Sequence, residues 1–451
     1  MSPAAQRRQR RNPIAVKRSL EAWLAYIEAQ HPQSIALGLD RVRSVAERMG
    51  LDRPGRHVVT VGGTNGKGST VAFIESIARA AGWRVGAYTS PHLRIYNERV
   101  RIDGAEATDA QLAAAFEAVE AARIAAATGA EGEVPLTYFE FGTLAALWLF
   151  ARSDLDLAVL EVGLGGRLDA VNLVDADVAV ITTVDLDHQD WLGEDREAIG
   201  FEKAGIARSG RPLILGDDDP PATVLRHAYA IGAPAYRLGC DFFIEHPGDE
   251  GSAWIWRDPG RAMELPQPAL TGAQQLRNAA CAVAALRAIS AGIPERAFAR
   301  GIAQAMLPGR LQRFVRDDIE IVLDVAHNPQ AARALADWLR AHPAAGRCLA
   351  VFGALADKDI EGMVATLQDV VDTWLPALLD GPRAPDLQAF TGRLRPTAAA
   401  GAAIHPDVGT ALTTGLRSAG PGDRLLVFGS FRTVAAALDV LGLETAGGYN
   451  S

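Results

Sequence analysis

An apolar, β-branched run at 57–61 leads straight into Gly62-Gly63-Thr64-Asn65-Gly66-Lys67-Gly68-Ser69-Thr70, and a helical pattern follows over 71–81. No other stretch restricts the fold as tightly, because strand, glycine loop and helix in this order build a seat for phosphate. Glycines let backbone N–H groups turn inward toward phosphate oxygens, and the start of a helix adds partial positive charge. Lys67 can reach the β- and γ-phosphates and Ser69 can ligate Mg²⁺, so ATP or GTP is the natural ligand. The general phosphate-loop pattern asks for glycine at 61 and a hydroxyl at 68; Val61 and Gly68 stand there, and the hydroxyl has moved to Ser69. A glycine-rich connection carrying a chance lysine is the competing reading, and the flanking strand and helix weigh against it. No Asn-Lys-x-Asp guanine reader accompanies the loop, which disfavours a regulatory GTPase.

Strand-length apolar runs at 57–61, 84–88, 155–162, 178–184 and 212–215 alternate with helical patterns. That alternation predicts an α/β fold with a mostly parallel sheet covered by helices. A second series, 319–323, 348–352 and 425–428, starts after Leu307-Pro308-Gly309 and predicts a smaller α/β unit. The expected division is a basic start at 1–20, a nucleotide-binding domain at 21–307 and a C-terminal Rossmann-like domain at 308–451; residues 240–270 read as short antiparallel strands. At 451 residues, with 49% hydrophobic and 22% charged residues, the chain can bury the cores such units need.

Charge and cysteines narrow the class. The net charge is −9, yet residues 1–20 hold Arg7, Arg8, Arg10, Arg11, Lys17 and Arg18 and no acid, leaving −15 for the rest. So acidic a body argues against a general nucleic-acid binder. The basic start reads as a nucleic-acid arm, a transit peptide or a solvated terminus, the last being favoured. Cys240, Cys281 and Cys348 form no metal or disulfide pattern, which suits a reducing compartment. No apolar run approaches the ~20 residues that span a bilayer, and a cytoplasmic protein without membrane partners is expected.

Polar residues just past strand ends are the chemical candidates, because ligands of open α/β sheets collect there. Glu161 ends an apolar strand beside the phosphate loop, where a Mg²⁺ ligand is wanted; capping the glycine turn that follows is its plainer role. His188 follows the strand at 178–184 among acids, as a metal ligand or a merely exposed histidine. Ser90, in Thr89-Ser90-Pro91-His92-Leu93, offers a further metal oxygen or a turn cap. Lys203, in Phe201-Glu202-Lys203-Ala204-Gly205, first reads as a helix-surface lysine.

In this order, Gly63-Thr64-Asn65-Gly66-Lys67-Gly68-Ser69, Ser90-Pro91-His92-Leu93, Glu161-Val162-Gly163-Leu164-Gly165-Gly166-Arg167, Asp187-His188, Glu202-Lys203-Ala204-Gly205, Pro308-Gly309-Arg310, Asp324-Val325-Ala326-His327-Asn328-Pro329 and Asp357-Lys358-Asp359 resemble the Mur ligase family over nearly the whole chain. Within it they are similar to the branch of dihydrofolate and folylpolyglutamate synthases. The placement of Ser69 is that family's own form of the loop. The resemblance implies an ATP-dependent amide ligase using Mg²⁺, with ATP in the cleft between two domains joined near 308. It assigns Ser69, Ser90, Glu161 and His188 to the metal. It assigns Thr64, Asn65, Gly66, Lys67, Gly68, Ser69, Asn278, Arg310 and Asp324 to the nucleotide. Lys203 matches the lysine that is carbamylated in relatives and then binds metal, which replaces its surface reading. His327 is expected to assist catalysis beside Lys67, His188 and Lys203.

For the pterin substrate the resemblance points to Ala36, Leu37, Gly38, Leu39, Thr137, Tyr138, Phe139, Glu140, Leu168, Asp169 and Ala170, although relatives commonly carry an acid where Ala36 stands. Core packing is the alternative for Tyr138 and Phe139, an exposed helix position for Asn278 and a hinge salt bridge for Arg310. The implied substrates are dihydropteroate, reduced folates and L-glutamate, handled by a monomer. Two other readings remain. A cell-wall Mur ligase usually carries an additional N-terminal domain for its nucleotide-sugar substrate, and only about 55 residues precede the loop strand here. A non-catalytic ATP-binding switch would not need metal candidates at several strand ends.

Overall fold

The computed structural model describes residues 18–31, 36–124, 133–246, 253–289 and 292–443. The basic residues Arg7, Arg8, Arg10, Arg11 and Lys17 lie outside them.

The first strand, β1 (His57–Gly62), sits near the middle of an eight-stranded sheet with β2 (Val85–Tyr88), β3 (Val100–Ile102), β4 (Ala105–Glu106), β5 (Leu157–Glu161), β6 (Val178–Ile181), β7 (Leu213–Leu215) and β8 (Ala235–Arg237). The order is β4-β3-β2-β5-β1-β6-β7-β8; all pairings are parallel except those of β3 with β2 and β4. Alternate residues go to opposite faces, so both sides are cored: Ala158 and Leu160 of β5 join the cluster under the helix Tyr138–Ala151, whereas Leu157 and Val159 join the one under the helices Lys67–Ala80 and Ala273–Ala288. Burial on both faces explains why these strands read as unbroken apolar runs. The short antiparallel edge β3–β4 carries no such run and is not anticipated.

Part of the 240–270 region forms a small antiparallel sheet, β9 (Phe243–Glu245), β10 (Trp254–Asp258) and β11 (Arg261–Leu265), against the second face. Beyond it β12 (Gln312–Arg316), β13 (Ile319–Leu323), β14 (Cys348–Phe352), β15 (Thr373–Pro376) and β16 (Arg424–Phe428) make a five-stranded sheet in the order β12-β13-β16-β14-β15, with β12 antiparallel. Its two faces carry separate apolar clusters.

Several boundaries depart from the expected ones for local reasons. The helix expected from 71 begins at Lys67, because Gly66 at φ 90° turns the loop directly into its first turn. β6 ends at Ile181 instead of running to 184. Thr182 and Thr183 use their hydroxyls on the Asn65 carbonyl, which draws the chain out of the sheet. Thr137 is the N-cap of the helix Tyr138–Ala151: its hydroxyl accepts from the Glu140 N–H, and the Glu140 carboxylate accepts from the Thr137 N–H.

Candidate active site

The carboxyl ends of β1, β5 and β6 open into one cavity of about 850 Å³ that reaches across to the C-terminal sheet. The phosphate loop forms its floor, and the segment after β6 clamps that loop. Thr64 N–H donates to the Thr183 carbonyl at 2.8 Å, Asn65 N–H to Thr183 Oγ1 at 3.1 Å, and Thr182 Oγ1 to the Asn65 carbonyl at 2.6 Å. Lys67 Nζ folds over the loop, donating to the carbonyls of Gly63 at 2.9 Å and Thr64 at 3.1 Å. A Cβ at Gly66 would meet Asn278 Oδ1 at 2.5 Å, and the backbone there is left-handed at φ 90°. Gly66→Ala is therefore expected to weaken ATP binding by about tenfold or more, through roughly 1–3 kcal/mol of strain, as read by nucleotide titration.

β5 delivers Glu161 at the level of Val61, where β1 gives way to the loop. Its carboxylate accepts the Ser90 N–H at 3.0 Å, and a Cβ on Gly68 would lie 3.8 Å from both of its oxygens. Gly68 thus lies within ordinary contact distance of Glu161 and Leu307. Burial pushes Glu161 up and Lys67 down, each opposed by the other's charge. Two desolvated opposite charges beside the N-terminus of the helix Lys67–Ala80 suit a metal–polyphosphate pair, and the hydroxyls of Ser69 and Ser90 supply hard oxygen donors. Burial also lowers His188 to about 4, with Lys358 and Lys67 adding to the effect against Asp187, so a neutral imidazole able to ligate metal is present at pH 7. His188 is held in left-handed backbone at φ 51°, an unfavourable conformation kept at the cavity wall. Ser69, Ser90, Glu161 and His188 are donors of the chemical kind a divalent cation takes, while among the described residues no three His, Cys, Asp or Glu side chains gather as a metal cluster.

Lys203 is 4% exposed, so its surface reading is wrong: the helix Arg196–Ala204 turns it inward beneath the cavity. Burial, reinforced by Lys67, lowers its amine to about 7. From the other lobe come Arg310, whose guanidinium lies 5.2 Å from the Phe431 ring centre, and Asp324, which accepts the N–H groups of Leu311 at 2.9 Å and Ala326 at 2.8 Å. Asn278 is buried against Gly66 rather than exposed, and Arg310 makes no ion pair among the described residues, so neither plainer role applies. His327 lines the cavity with its Nδ1 2.9 Å from the Val325 carbonyl; burial lowers it to about 4.

Ala36, Leu37, Thr137, Tyr138, Phe139, Glu140, Leu168, Asp169 and Ala170 line the far end of the same cavity. Gly38 and Leu39 do not. Gly38 donates its N–H to the Leu168 carbonyl and Leu39 is the N-cap of the helix Asp40–Met49, so both serve the backbone that frames the wall. Asp169 is fully buried; burial raises it to about 7 against the N–H groups of Leu164, Val171 and Gly163. Glu140 is ion-paired to Arg41 at 2.8 Å as well as capping its helix.

Sequence reasoning assigned no role to Asp187, Asn328 and Lys358, which help join the lobes. Asp187 accepts from Lys358 Nζ at 2.7 Å and from Asn328 Nδ2 at 3.2 Å, and Asn65 and Asn328 exchange amide hydrogen bonds at 3.1 Å in both directions. Burial alone would raise the Asp187 carboxyl, but Lys358 and the neighbouring imidazoles hold it well below the usual carboxylate range. Asp187 and Lys358 stand in the quoted motifs, which is the only signal that marks them.

Comparison with known proteins agrees with this geometry. Residues 61–286 match the Mur ligase middle domain and residues 309–431 the Mur ligase glutamate ligase domain. A dihydrofolate synthase/folylpolyglutamate synthase of Escherichia coli is 45% identical over 97% of this chain and 99% of its own length. The structure of E. coli FolC in complex with DHPP and ADP superposes with a TM-score of 0.87 at 45% identity, covering 96% of this chain and 99% of that one. A bifunctional folylpolyglutamate synthase/dihydrofolate synthase with Mn, AMPPNP and L-glutamate bound gives 0.85 at 44% identity, over 94% and 98%. With two family domains matched in order and 45% identity along almost its full length, the chain belongs to the Mur ligase family, in its branch of dihydrofolate and folylpolyglutamate synthases.

Proposed function

We propose that this enzyme uses ATP to join L-glutamate to dihydropteroate, giving dihydrofolate, and to reduced folates, giving folylpolyglutamates. The observation that carries the reading is one cavity that joins the phosphate loop to the Thr137–Asp169 wall on one side and to Arg310, Asp324 and His327 on the other. A pteroate laid along that wall points its carboxylate at the loop. The γ-phosphoryl group passes to this carboxylate, giving an acyl phosphate and ADP; the α-amine of glutamate attacks the carbonyl and phosphate departs.

Lys67 and the loop N–H groups hold the phosphoryl charge, so positioning and electrostatics do most of the catalysis. Ser69, Ser90, Glu161 and His188 would hold Mg²⁺, which, when bound, neutralises charge on the β- and γ-phosphates. Asn278, Arg310 and Asp324 hold the nucleotide between lobes 21–307 and 308–451, and closure near 308 keeps water from the acyl phosphate. Buried neutral His327 faces the same space, suited to taking a proton from the attacking amine. Asp169 offers an acceptor to the donor edge of the pterin.

Lys203 supports a further expectation. An amine titrating near 7 is partly neutral at physiological pH and can add CO₂, turning a buried cation into an anion beside the metal donors. In CO₂-depleted buffer, bicarbonate should raise turnover several-fold in the wild type and not in Lys203→Arg; equal rates with and without bicarbonate refute carbamylation.

The same reading makes the enzyme a cytoplasmic monomer that binds no nucleic acid; among the described residues no helix is long and apolar enough to cross a membrane. The deciding assay is ADP release by purified protein with ATP, Mg²⁺ and L-glutamate, comparing dihydropteroate, tetrahydrofolate and no acceptor. Stimulation by both acceptors is expected; stimulation by neither removes the assignment.

A further inference from the structure

Arg99 is 9% exposed and lines the cavity, yet no carboxylate among the described residues lies within ion-pairing distance of it. Arg123 and Arg424, the other two arginines buried this deeply among the described residues, are paired with Glu120 and Glu320. A buried cation without a counter-ion is costly, and a cavity wall is where a ligand can supply one. The Arg99 contacts are all neutral. Its Nε donates to His92 Nδ1 at 2.8 Å, and its guanidinium carbon lies 5.2 Å from the ring centre of Tyr96 and 5.5 Å from that of Tyr138. Its remaining N–H donors have no hydrogen-bond acceptor among the described residues.

His92 reinforces the site. Arginine is only a donor, so His92 Nδ1 must accept, and the neutral ring carries its proton on Nε2 as a further donor. Arg432, from the opposite lobe, also lines the cavity.

Position decides which anion fits. The Arg99 carbonyl accepts the Thr89 N–H at 2.9 Å, at the root of the loop bearing Ser90, while its guanidinium borders Tyr138 on the pteroate wall. The site therefore lies between the pterin end and the phosphate loop. Dihydropteroate brings a single carboxylate, and that one is activated at the loop. A folate brings two: its γ-carboxylate reacts and its α-carboxylate is spare. We propose that Arg99 and His92 form the subsite for this non-reacting α-carboxylate, making Arg99 a specificity residue for the second reaction over the first; the inference rests on the function proposed above.

The test measures kcat and KM for tetrahydrofolate and for dihydropteroate, each across a range of L-glutamate, in wild type, Arg99→Met and Arg99→Lys, with unfolding temperature recorded for each. Binding of tetrahydrofolate and of tetrahydropteroate, the same ring system without the glutamyl group, is titrated alongside. Losing a charge-assisted bond should raise the tetrahydrofolate KM of Arg99→Met by roughly 10- to 100-fold, with dihydropteroate affected less than about threefold. The binding preference for tetrahydrofolate over tetrahydropteroate should vanish in Arg99→Met and partly return in Arg99→Lys. Equal losses with both acceptors alongside a lower unfolding temperature would make Arg99 a packing residue and overturn the proposal. A raised KM for L-glutamate with both acceptors would assign the site to the incoming amino acid and overturn it too. Wild type turning over neither acceptor takes down the functional reading and this subsite together; wild type turning over both, with Arg99→Met behaving alike, removes the subsite alone.

Discussion

Lys67→Ala should abolish turnover, by roughly 10³-fold or more, without unfolding the protein. The ammonium stands where charge accumulates on the transferring phosphoryl group, and removing one such donor from a preorganised site commonly costs 10²- to 10³-fold or so. Here it is also the principal cation opposing Glu161, so its loss leaves that buried carboxyl still harder to ionise and weakens the metal seat at the same time. Stability should hardly change. Lys67 gives up its hydrogen bonds to the Gly63 and Thr64 carbonyls, which face a cavity that water can enter, and its attraction to Glu161, whose carboxyl can take up a proton once the cation is gone; the cost of burying the ammonium disappears. ADP release and thermal unfolding on the same preparation test both halves; near-normal turnover would contradict the phosphate role.

Asp187→Ala should act through the junction of the lobes. Lys358 is 6% exposed, and beyond Asp187 at 2.7 Å its nearest acid is Asp357 at 3.7 Å. Stripping one member from a buried pair strands the other, at a typical cost of about 3–5 kcal/mol. The same carboxylate orients Asn328, which pairs with Asn65 of the phosphate loop, so both the contact between lobes and the loop are disturbed. Turnover is expected to fall about 10²-fold or more, with a lower unfolding temperature or separate unfolding of the two lobes. Unaltered unfolding would show that the pair contributes nothing.

Acid titration tests the same group. The folded Asp187 carboxyl is depressed, so its contribution is complete above the ordinary Asp value of about 3.9 and is lost as pH falls through the depressed folded value. The wild type should therefore lose this increment only in acid, below about pH 4. The Asp187→Ala protein lacks it throughout, and the gap between the two should close as the pH drops.

The local features of the site were legible because each is written within a few consecutive residues. The run 57–61 followed by Gly62–Thr70, Glu161 at the end of an apolar strand, and Ser90 after another are all patterns of period and punctuation, and the structure brings Ser69, Ser90, Glu161, His188 and Lys203 around one cavity. The chain's own pattern likewise declared two α/β units with parallel sheets, because strands buried on both faces cannot avoid reading as continuous apolar runs. Lys203 was misread on local pattern alone. A lysine near the end of an amphipathic helix looks solvated until the neighbouring strands are in place.

Tertiary structure alone decided the long-range partners. Asn65 meets Asn328 across 263 residues and Asp187 meets Lys358 across 171, and no local period encodes such pairings; they exist because two separately cored sheets dock with their loop ends facing. The unpaired charge of Arg99 belongs to the same class. Sequence shows that an arginine is present, but only packing shows that among the described residues no acid stands near enough to neutralise it, and that the space beside it is open to a ligand.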